Sequence, residues 1–330
     1  MSLRCSPPAG NAGSLAVGRW PAGAATGAAS GRIDPAGEPR PAIPESPDGH
    51  PRTACAIMRP HKGAPSSDRR REQIEGVRAM SSNGGGRQRR IVVTGAAQGI
   101  GRGAVERFLG EGDSVLGVDL NGQKLAEIEP LGADTLVADL ADPEQRRTVV
   151  EAAEGCDGLV NAAGIIMLKA LDDVTVEDWR LLVQVNVESI FFLCQGIGPT
   201  MPPDSAIVNL SSSSGKLTST TEAAVYGATK CMILSVTRSF AYHLAQIPVR
   251  VNAICPGIVD TPMQVKVLAE VAPLRGMTPQ QLSDAREQVV PLKRASTPAE
   301  ISGLISFLLG PDSAYMTGQA INHTGGMVMW

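Results

Sequence analysis

Residues 91–101 read Ile-Val-Val-Thr-Gly-Ala-Ala-Gln-Gly-Ile-Gly, and the fold follows from them. Ile91 to Val93 are β-branched, follow two arginines and run into a glycine, the pattern of a short strand buried in a parallel sheet. Gly95, Gly99 and Gly101 come next, and then Ala104, Val105, Phe108 and Leu109 recur at helical spacing. Strand, glycine-rich turn and helix start make a cradle for an anion. Glycine lets the backbone turn tightly and approach a pyrophosphate, and the first N–H groups of the helix point at it. A plain tight turn could use the same residues, so the dinucleotide reading needs support from the rest of the chain.

Downstream, strands and helices alternate. Ser114 to Val118 predict a second strand ending in Asp119, 18 residues past Gly101. A carboxylate there suits the paired hydroxyls of an adenosine ribose and repels a 2′-phosphate. No lysine or arginine follows at 120 or 121, which selects NAD(H) over NADP(H). Asp119 can also cap a helix from Asn121. Thr135 to Ala138 predict a third strand before Asp139, and Asp142-Pro143-Glu144-Gln145 supplies a cap, a first-turn proline and a glutamine able to close a capping box. Gly158 to Asn161 predict a fourth strand running into Ala162-Ala163-Gly164, whose small side chains leave room for a ligand at the sheet edge. Ala206 to Leu210, Val249 to Ile254 and Gln319 to Asn322 complete seven strands. The alternation predicts an α/β fold, a single-domain, three-layer, Rossmann-like doubly wound parallel sheet.

Three features carry chemistry. A helical pattern from Thr175 to about Gln195 puts Trp179, Leu182, Val183, Val187, Ile190 and Phe191 on one side and holds Asn186 inside, where an asparagine is mildly unfavourable. The fifth strand runs into Ser211 to Ser214 and Gly215. Tyr226-Gly-Ala-Thr-Lys230 opens a helix continuing through Ile233, Val236, Phe240 and Leu244. Residues four apart share a helix face, so phenol and ammonium can lie side by side, and a nearby cation lowers a tyrosine's pKa toward the range of proton transfer. Alone, such a pair is as often an exposed Tyr and Lys. Residues 263–294 lack a sheet pattern and carry a helix start at Thr278-Pro279, predicting a partly helical lid over a pocket. Thr297-Pro298-Ala299-Glu300 is a capping box for the last helix.

In order and spacing, Thr94-Gly95-x-x-x-Gly99-Ile100-Gly101, Asn161-Ala162-Ala163-Gly164, Asn186, the serine cluster, Tyr226-x-x-x-Lys230 and Pro256-Gly257 resemble the short-chain dehydrogenase/reductase family over residues 90–330. The family's usual Asn-Asn-Ala-Gly is varied here at Ala162. The resemblance implies a cofactor site made of Thr94, Gly95, Gln98, Gly99, Ile100, Gly101, Asp119, Asp139, Leu140, Asn161, Ala162, Ala163, Gly164, Tyr226, Lys230, Pro256, Gly257, Val259 and Thr261. By the same resemblance Tyr226 exchanges the substrate proton, Lys230 holds the nicotinamide ribose, Asn186 binds a water in a relay with Lys230, and a serine hydrogen-bonds the reacting oxygen. Counting from the strand end through Ser-Ser-x-x-Gly gives Ser212, and counting the family's usual interval back from Tyr226 gives Ser213; the strand end is the firmer anchor and favours Ser212. The helices at 175–195 and 226–246 would pair across a two-fold axis into a homotetramer, with a dimer as second choice.

For substrate, the ending from Thr317 to Met329 resembles members acting on sugar alcohols, sorbitol-6-phosphate dehydrogenase among them. The implied reaction is oxidation of a polyol or other secondary alcohol to a ketone with NAD. Ser214, Lys216, Glu222 and Gln264 are the polar pocket candidates, and His323 stands where many relatives have valine. The alternatives are a 3-oxoacyl-thioester (acyl-carrier-protein) reductase and a catalytically silent nucleotide-binding regulator. Regulators of that kind tend to lose the tyrosine or lysine, and both are present here.

Before this region the composition changes. Residues 1–90 carry 14 Arg or Lys against 7 Asp or Glu, leaving 16 and 26 for residues 91–330. Residues 1–88 are rich in proline and glycine and have no hydrophobic period, so a disordered leader is expected, or a true start at Met58 or Met80. Glycines and prolines would break a targeting helix, and no aromatics interleave Arg69 to Arg71 or Arg87 to Arg90 for stacking on bases. The cysteines lie singly among apolar neighbours and the four histidines lack ligand spacing, so buried free thiols are expected and a metal site is not. No apolar run reads as long as the ~18 residues that span a bilayer, and Ser14 to Val17 is too brief for a signal core. A cytoplasmic protein without nucleic-acid or membrane partners is the expectation.

Overall fold

The computed structural model describes residues 87–218 and 220–330, all within the compact unit Gly76–Trp330. The leader expectation falls almost wholly outside the described residues. Seven strands form one sheet: β1 Arg90–Thr94, β2 Ser114–Asp119, β3 Asp134–Val137, β4 Gly158–Asn161, β5 Ala206–Leu210, β6 Arg250–Pro256 and β7 Ala320–His323. Their order is β3-β2-β1-β4-β5-β6-β7, and every neighbouring pair is parallel. The order reverses between β1 and β4, so the carboxyl ends of these strands open a crevice.

Helices cover both faces: α1 Gly99–Gly110, α2 Pro143–Ala152, α3 Val176–Val183, α4 Ser189–Ile197, α5 Ala224–Leu244, α6 Pro262–Leu274, α7 Pro279–Gln288 and α8 Pro298–Leu309. The strand period assigns the two cores. Ile91 and Val93 of β1 join Phe108 of α1 and Ile301, Ile305 and Leu308 of α8. Val92 between them joins Val149, Ile190, Leu193, Ile233 and Leu244 on the opposite face.

Several local expectations need correction. The helix expected from Thr175 is broken by a π-helical turn, Gln184–Glu188, with Asn186 at its centre. Asp142 caps α2, but Gln145 does not close a capping box; its amide oxygen accepts from Asp139 N at 2.8 Å, because the chain bends back on itself there. Asn121, not Asp119, caps the helical turn Gly122–Leu125. Cys156, Cys194 and Cys255 are buried free thiols, whereas Cys231 is exposed. The stretch Val176–Thr200 is, by length and composition, apolar enough to cross a membrane; Asn186 and Glu188 interrupt it in the sequence and hid this. Half of it is buried inside the protein, through Leu182, Ile190, Leu193 and Ile197.

Arg250 at the start of β6 ties the sheet to the end of α8. Its buried guanidinium donates to Leu308 O at 2.8 Å, Gly310 O at 3.0 Å, and Ser313 O and Oγ at 3.1 and 2.8 Å. Carbonyls at a helix C-terminus lack intrahelical donors, and this side chain supplies them. Arg250→Met should therefore cost about 3 kcal/mol, since several acceptors lose a charged donor at once. Urea unfolding measures it, and a loss below about 1 kcal/mol would mean water replaces the guanidinium without penalty.

Candidate active site

The glycine turn is shaped by close backbone approach. Gly95 has φ +67°, and a Cβ on it would stand 2.8 Å from the backbone of Ala163. A Cβ on Gly101 would stand 2.0 Å from Gly95 O, so neither position accepts a side chain without moving the turn. Gln98 precedes α1 in extended conformation and offers no side-chain cap, which leaves the first N–H groups of the helix facing the crevice. Across the turn, the Thr261 side chain lies 3.3 Å from where a Gly99 Cβ would sit. Thr94 Oγ1 accepts from Ala162 N and Ala163 N, both at 3.2 Å, and so fixes the loop after β4 against β1.

Asp119 closes β2, with Oδ2 accepting from Ala97 N at 3.1 Å and Oδ1 from Asn121 N at 2.9 Å. Lys124 Nζ donates to Gln98 Oε1 at 2.8 Å, a cation at this edge that the reading of positions 120 and 121 missed. Asp139 Oδ1 accepts from Ala141 N at 2.9 Å beside buried Leu140. Asn161 Nδ2 donates to Asn209 Oδ1 at 2.9 Å, bracing β4 on β5. A narrow glycine cradle, an uncapped helix start and a carboxylate at the end of the neighbouring strand fit a dinucleotide's pyrophosphate and ribose.

A second group gathers where β4, β5 and α5 meet. Asn186 Oδ1 accepts from Ile165 N at 2.8 Å; its Nδ2 donates to Ile165 O at 2.9 Å and to Thr229 Oγ1 at 3.1 Å. Both amide hydrogens are spent, and one lone pair of Oδ1 remains. A Cβ on Gly164 would meet this oxygen at 3.2 Å and Lys230 Nζ at 3.4 Å, so Gly164, Asn186 and Lys230 crowd one point. Lys230 Nζ donates to Leu210 O at 2.8 Å and stands 5.5 Å from the Tyr226 ring centroid. Ser212 and Tyr226 line the adjoining cavity, and Ser212 Oγ accepts from Ser214 N at 3.1 Å.

Burial dominates the electrostatics. It pushes the Tyr226 phenol up to about 12, with the Ser212 hydroxyl offsetting part of the rise. It pulls the Lys230 ammonium down to about 8. The expectation that Lys230 lowers the tyrosine is not met here, because the ammonium is turned to Leu210 O over the ring face. Ser213 is also buried and lines the cavity.

The cavity measures about 470 Å³ and joins the two groups. Ile100, Pro256, Gly257, Val259 and Thr261 line its side toward the glycine turn, and Ser212 and Tyr226 its floor. Helices α6 and α7 roof it, as the lid expectation held, with Val267, Val271 and Leu282 facing in. Of the polar pocket candidates, Ser214 and Gln264 line it. Lys216 instead donates to Ala320 O at 2.8 Å, and Glu222 is not among the lining residues. His323 lines a separate cavity of about 320 Å³ with Asn322, Arg294 and Glu300. The sequence reading missed Arg275 and Arg286, which also line the main cavity. The spacing Leu282, Ala285, Arg286, Val289 on one face of α7 was the available signal.

The fold agrees with that of known proteins. Residues 95–328 match the family model described as Enoyl-(Acyl carrier protein) reductase. Dehydrogenase/reductase SDR family member 6 of Xenopus laevis is 34% identical over 241 residues, covering 72% of this chain and 96% of the relative. The 3-oxoacyl-[acyl-carrier-protein] reductase FabG of Thermotoga maritima is 32% identical over 250 residues, covering 72% and 97%. The crystal structure of L-sorbose reductase from Gluconobacter frateurii, complexed with NADPH and L-sorbose, superposes with a TM-score of 0.68 at 26% identity, covering 74% of this chain and 97% of that one. The chain belongs to the short-chain dehydrogenase/reductase family, and it is an oxidoreductase of that family.

The Lys230 environment makes a stability prediction. A lysine whose folded pKa, about 8, lies below its unfolded value, near 10.4, binds fewer protons when folded between those values. Its burial penalty is complete below about pH 8 and is relieved as pH rises toward 10. The wild type should therefore gain stability relative to Lys230→Met between about pH 8 and 10. Urea midpoints of both proteins across that range measure it, and a constant difference would refute the depressed pKa.

Proposed function

We propose that the protein interconverts a secondary alcohol and a ketone with NAD(H). The observation that carries this reading is the shared cavity, lined at once by Tyr226 and Ser212 and by residues flanking the glycine turn. When bound, the nicotinamide accepts or returns the hydride. Tyr226 holds or takes the carbinol proton, Ser212 hydrogen-bonds the reacting oxygen, and Lys230 stands behind the phenol for the ribose hydroxyls. Asn186 positions Ile165 and α5, and its remaining Oδ1 lone pair receives a water next to Lys230 for the proton relay. The cofactor contacts are taken to be those of the implied set, Thr94 to Thr261, around this cavity.

The choice of NAD rests on Asp119 at the end of β2 and on exposed Leu120 beside it. L-sorbose reductase was crystallised with NADPH, so this neighbour lends the choice of NAD no support. Lys124, held on Gln98, is the cation to watch. A sugar or polyol substrate is supported by the same neighbour, whereas the aliphatic roof and the FabG relative support a 3-oxoacyl thioester as the second reading. Trp179, Leu181, Phe191, Phe192 and Tyr242 are exposed on α3, α4 and α5, which supports the homotetramer reading. The free thiols support a reducing, cytoplasmic setting.

Tyr226→Phe should lower turnover about 1000-fold while nicotinamide binding, read by its fluorescence, persists. With the phenol at about 12, alcohol oxidation needs a minor phenolate form. Its rate should climb about tenfold per unit between roughly pH 7 and 9, and ketone reduction, which uses the phenol, should stay flat. Asp119→Ser should bring a preference for NAD over NADP of about tenfold or more close to parity. Equal use of both cofactors by the wild type would remove the argument from Asp119.

A further inference from the structure

The cavity has more hydrogen-bond donors than acceptors, and its roof carries charge without a partner. Leu282, Ala285 and Arg286 of α7 and Val289 just past its end line the cavity, with a guanidinium among aliphatic side chains. Arg286 Nη1 donates to Gln264 Oε1 at 3.3 Å. That is its single hydrogen bond among the described residues, out of five N–H donors. The Gln264 Nε2 amide is buried and has no partner of its own. Arg275, from the link between α6 and α7, lines the same cavity. Among the described residues, neither arginine makes an ion pair, and no Asp or Glu lines the cavity.

Acids on the same helices are engaged elsewhere. Glu270 pairs with Lys266, Asp284 accepts from Gln280, and Glu287 accepts from Ser283. Burial first, and then repulsion from Arg275, pull the Arg286 pKa below its ordinary value. A guanidinium nonetheless keeps its charge through the physiological range. A half-buried cation beside a second cation, with an unpaired amide N–H between aliphatic walls, lacks an anion.

We propose that the missing anion is the substrate's own carboxylate: the protein acts on a hydroxycarboxylate or the matching oxocarboxylate. Arg286, with Arg275 and Gln264 Nε2, receives the carboxylate while the carbinol carbon lies at Tyr226 and Ser212. This rests on the oxidoreductase reading above and narrows its substrate class. The carbinol C–H breaks with its electron pair passing to the oxidised nicotinamide dinucleotide, the O–H proton leaves through Tyr226, and the carboxylate is unchanged. The aliphatic stripe of α7 then packs against the carbon chain between the two ends.

The test compares α-, β- and γ-hydroxycarboxylates with their methyl esters and with polyols, using NAD and NADP in parallel. The wild type should favour one acid over its ester by about 100-fold in kcat/KM, chiefly through KM, since a charged hydrogen-bonded contact is at stake. Arg286→Met should collapse that ratio toward unity, and Arg286→Lys should restore part of it. Esters or polyols used as well as acids by the wild type would overturn the proposal, as would an acid-to-ester ratio unchanged in Arg286→Met. If no compound is turned over with either cofactor, the proposed secondary-alcohol reaction fails by itself. The anion site is then decided by melting temperature: the hydroxycarboxylates should raise it in the wild type and not in Arg286→Met, and no rise in the wild type would overturn the site as well.

Discussion

The site depends on one amide. Asn186 joins the backbone of Ile165, which follows β4, to Thr229 on α5, and it does so from the middle of a π-helical turn. An α-helical turn would carry the side chain about one residue's rotation away from that meeting point. The π turn re-aims it, and Ser189 Oγ takes the Val185 carbonyl at 2.6 Å so that the altered ladder is not left open. With Asn186 in place, a side chain at Gly164 would press on Asn186 Oδ1, Lys230 Nζ stands 5.5 Å from the Tyr226 ring centroid, and Tyr226 lines the cavity. The helix irregularity thus exists for the geometry of residues that belong to other elements.

Much of the fold could be read directly from the chain. Ile91 to Val93, Gly158 to Asn161 and Ala206 to Leu210 are apolar runs stopped by small or polar residues, and the strands end where those stops occur. The serine cluster could be placed from the end of β5, and Ser211 to Ser214 all line the cavity. The π turn was not legible, because no residue preference separates it from an ordinary helix, and Asn186 alone reads equally as a core amide. Gln145 misled for a similar reason. Its spacing from Asp142 fits a capping box, but the amide found a nearer backbone donor at Asp139.

The Tyr226 and Lys230 pair shows how far helical spacing carries. Four residues of separation put both side chains on one face, as expected, yet spacing says nothing about which way a long side chain turns. Lys230 turns to Leu210 O at the end of β5, and both residues are buried. Desolvation favours the neutral form of each, so the phenol rises and the ammonium falls. Without a ligand the site is set to hold a proton on the tyrosine, ready to give it away. Taking one calls for a positive charge near the phenol, and Lys230 Nζ stands 5.5 Å from its ring centroid.

The two ends of the cavity were unequally visible for a physical reason. The glycine cradle is made by backbone, so its residues must be small and at set intervals, and the constraint is written into the sequence. The roof is made by side chains on α6 and α7, where any charged residue can be an ordinary solvent-facing one. Arg286 differs from Lys266 in which side of its helix it occupies, and that depends on how α7 packs against α6. Once α7 is seated, its apolar stripe fixes Arg286 inward by helical period alone, and the aliphatic packing holds a charge where packing by itself would exclude one. Retaining a cation in such a wall makes physical sense when something anionic comes to meet it.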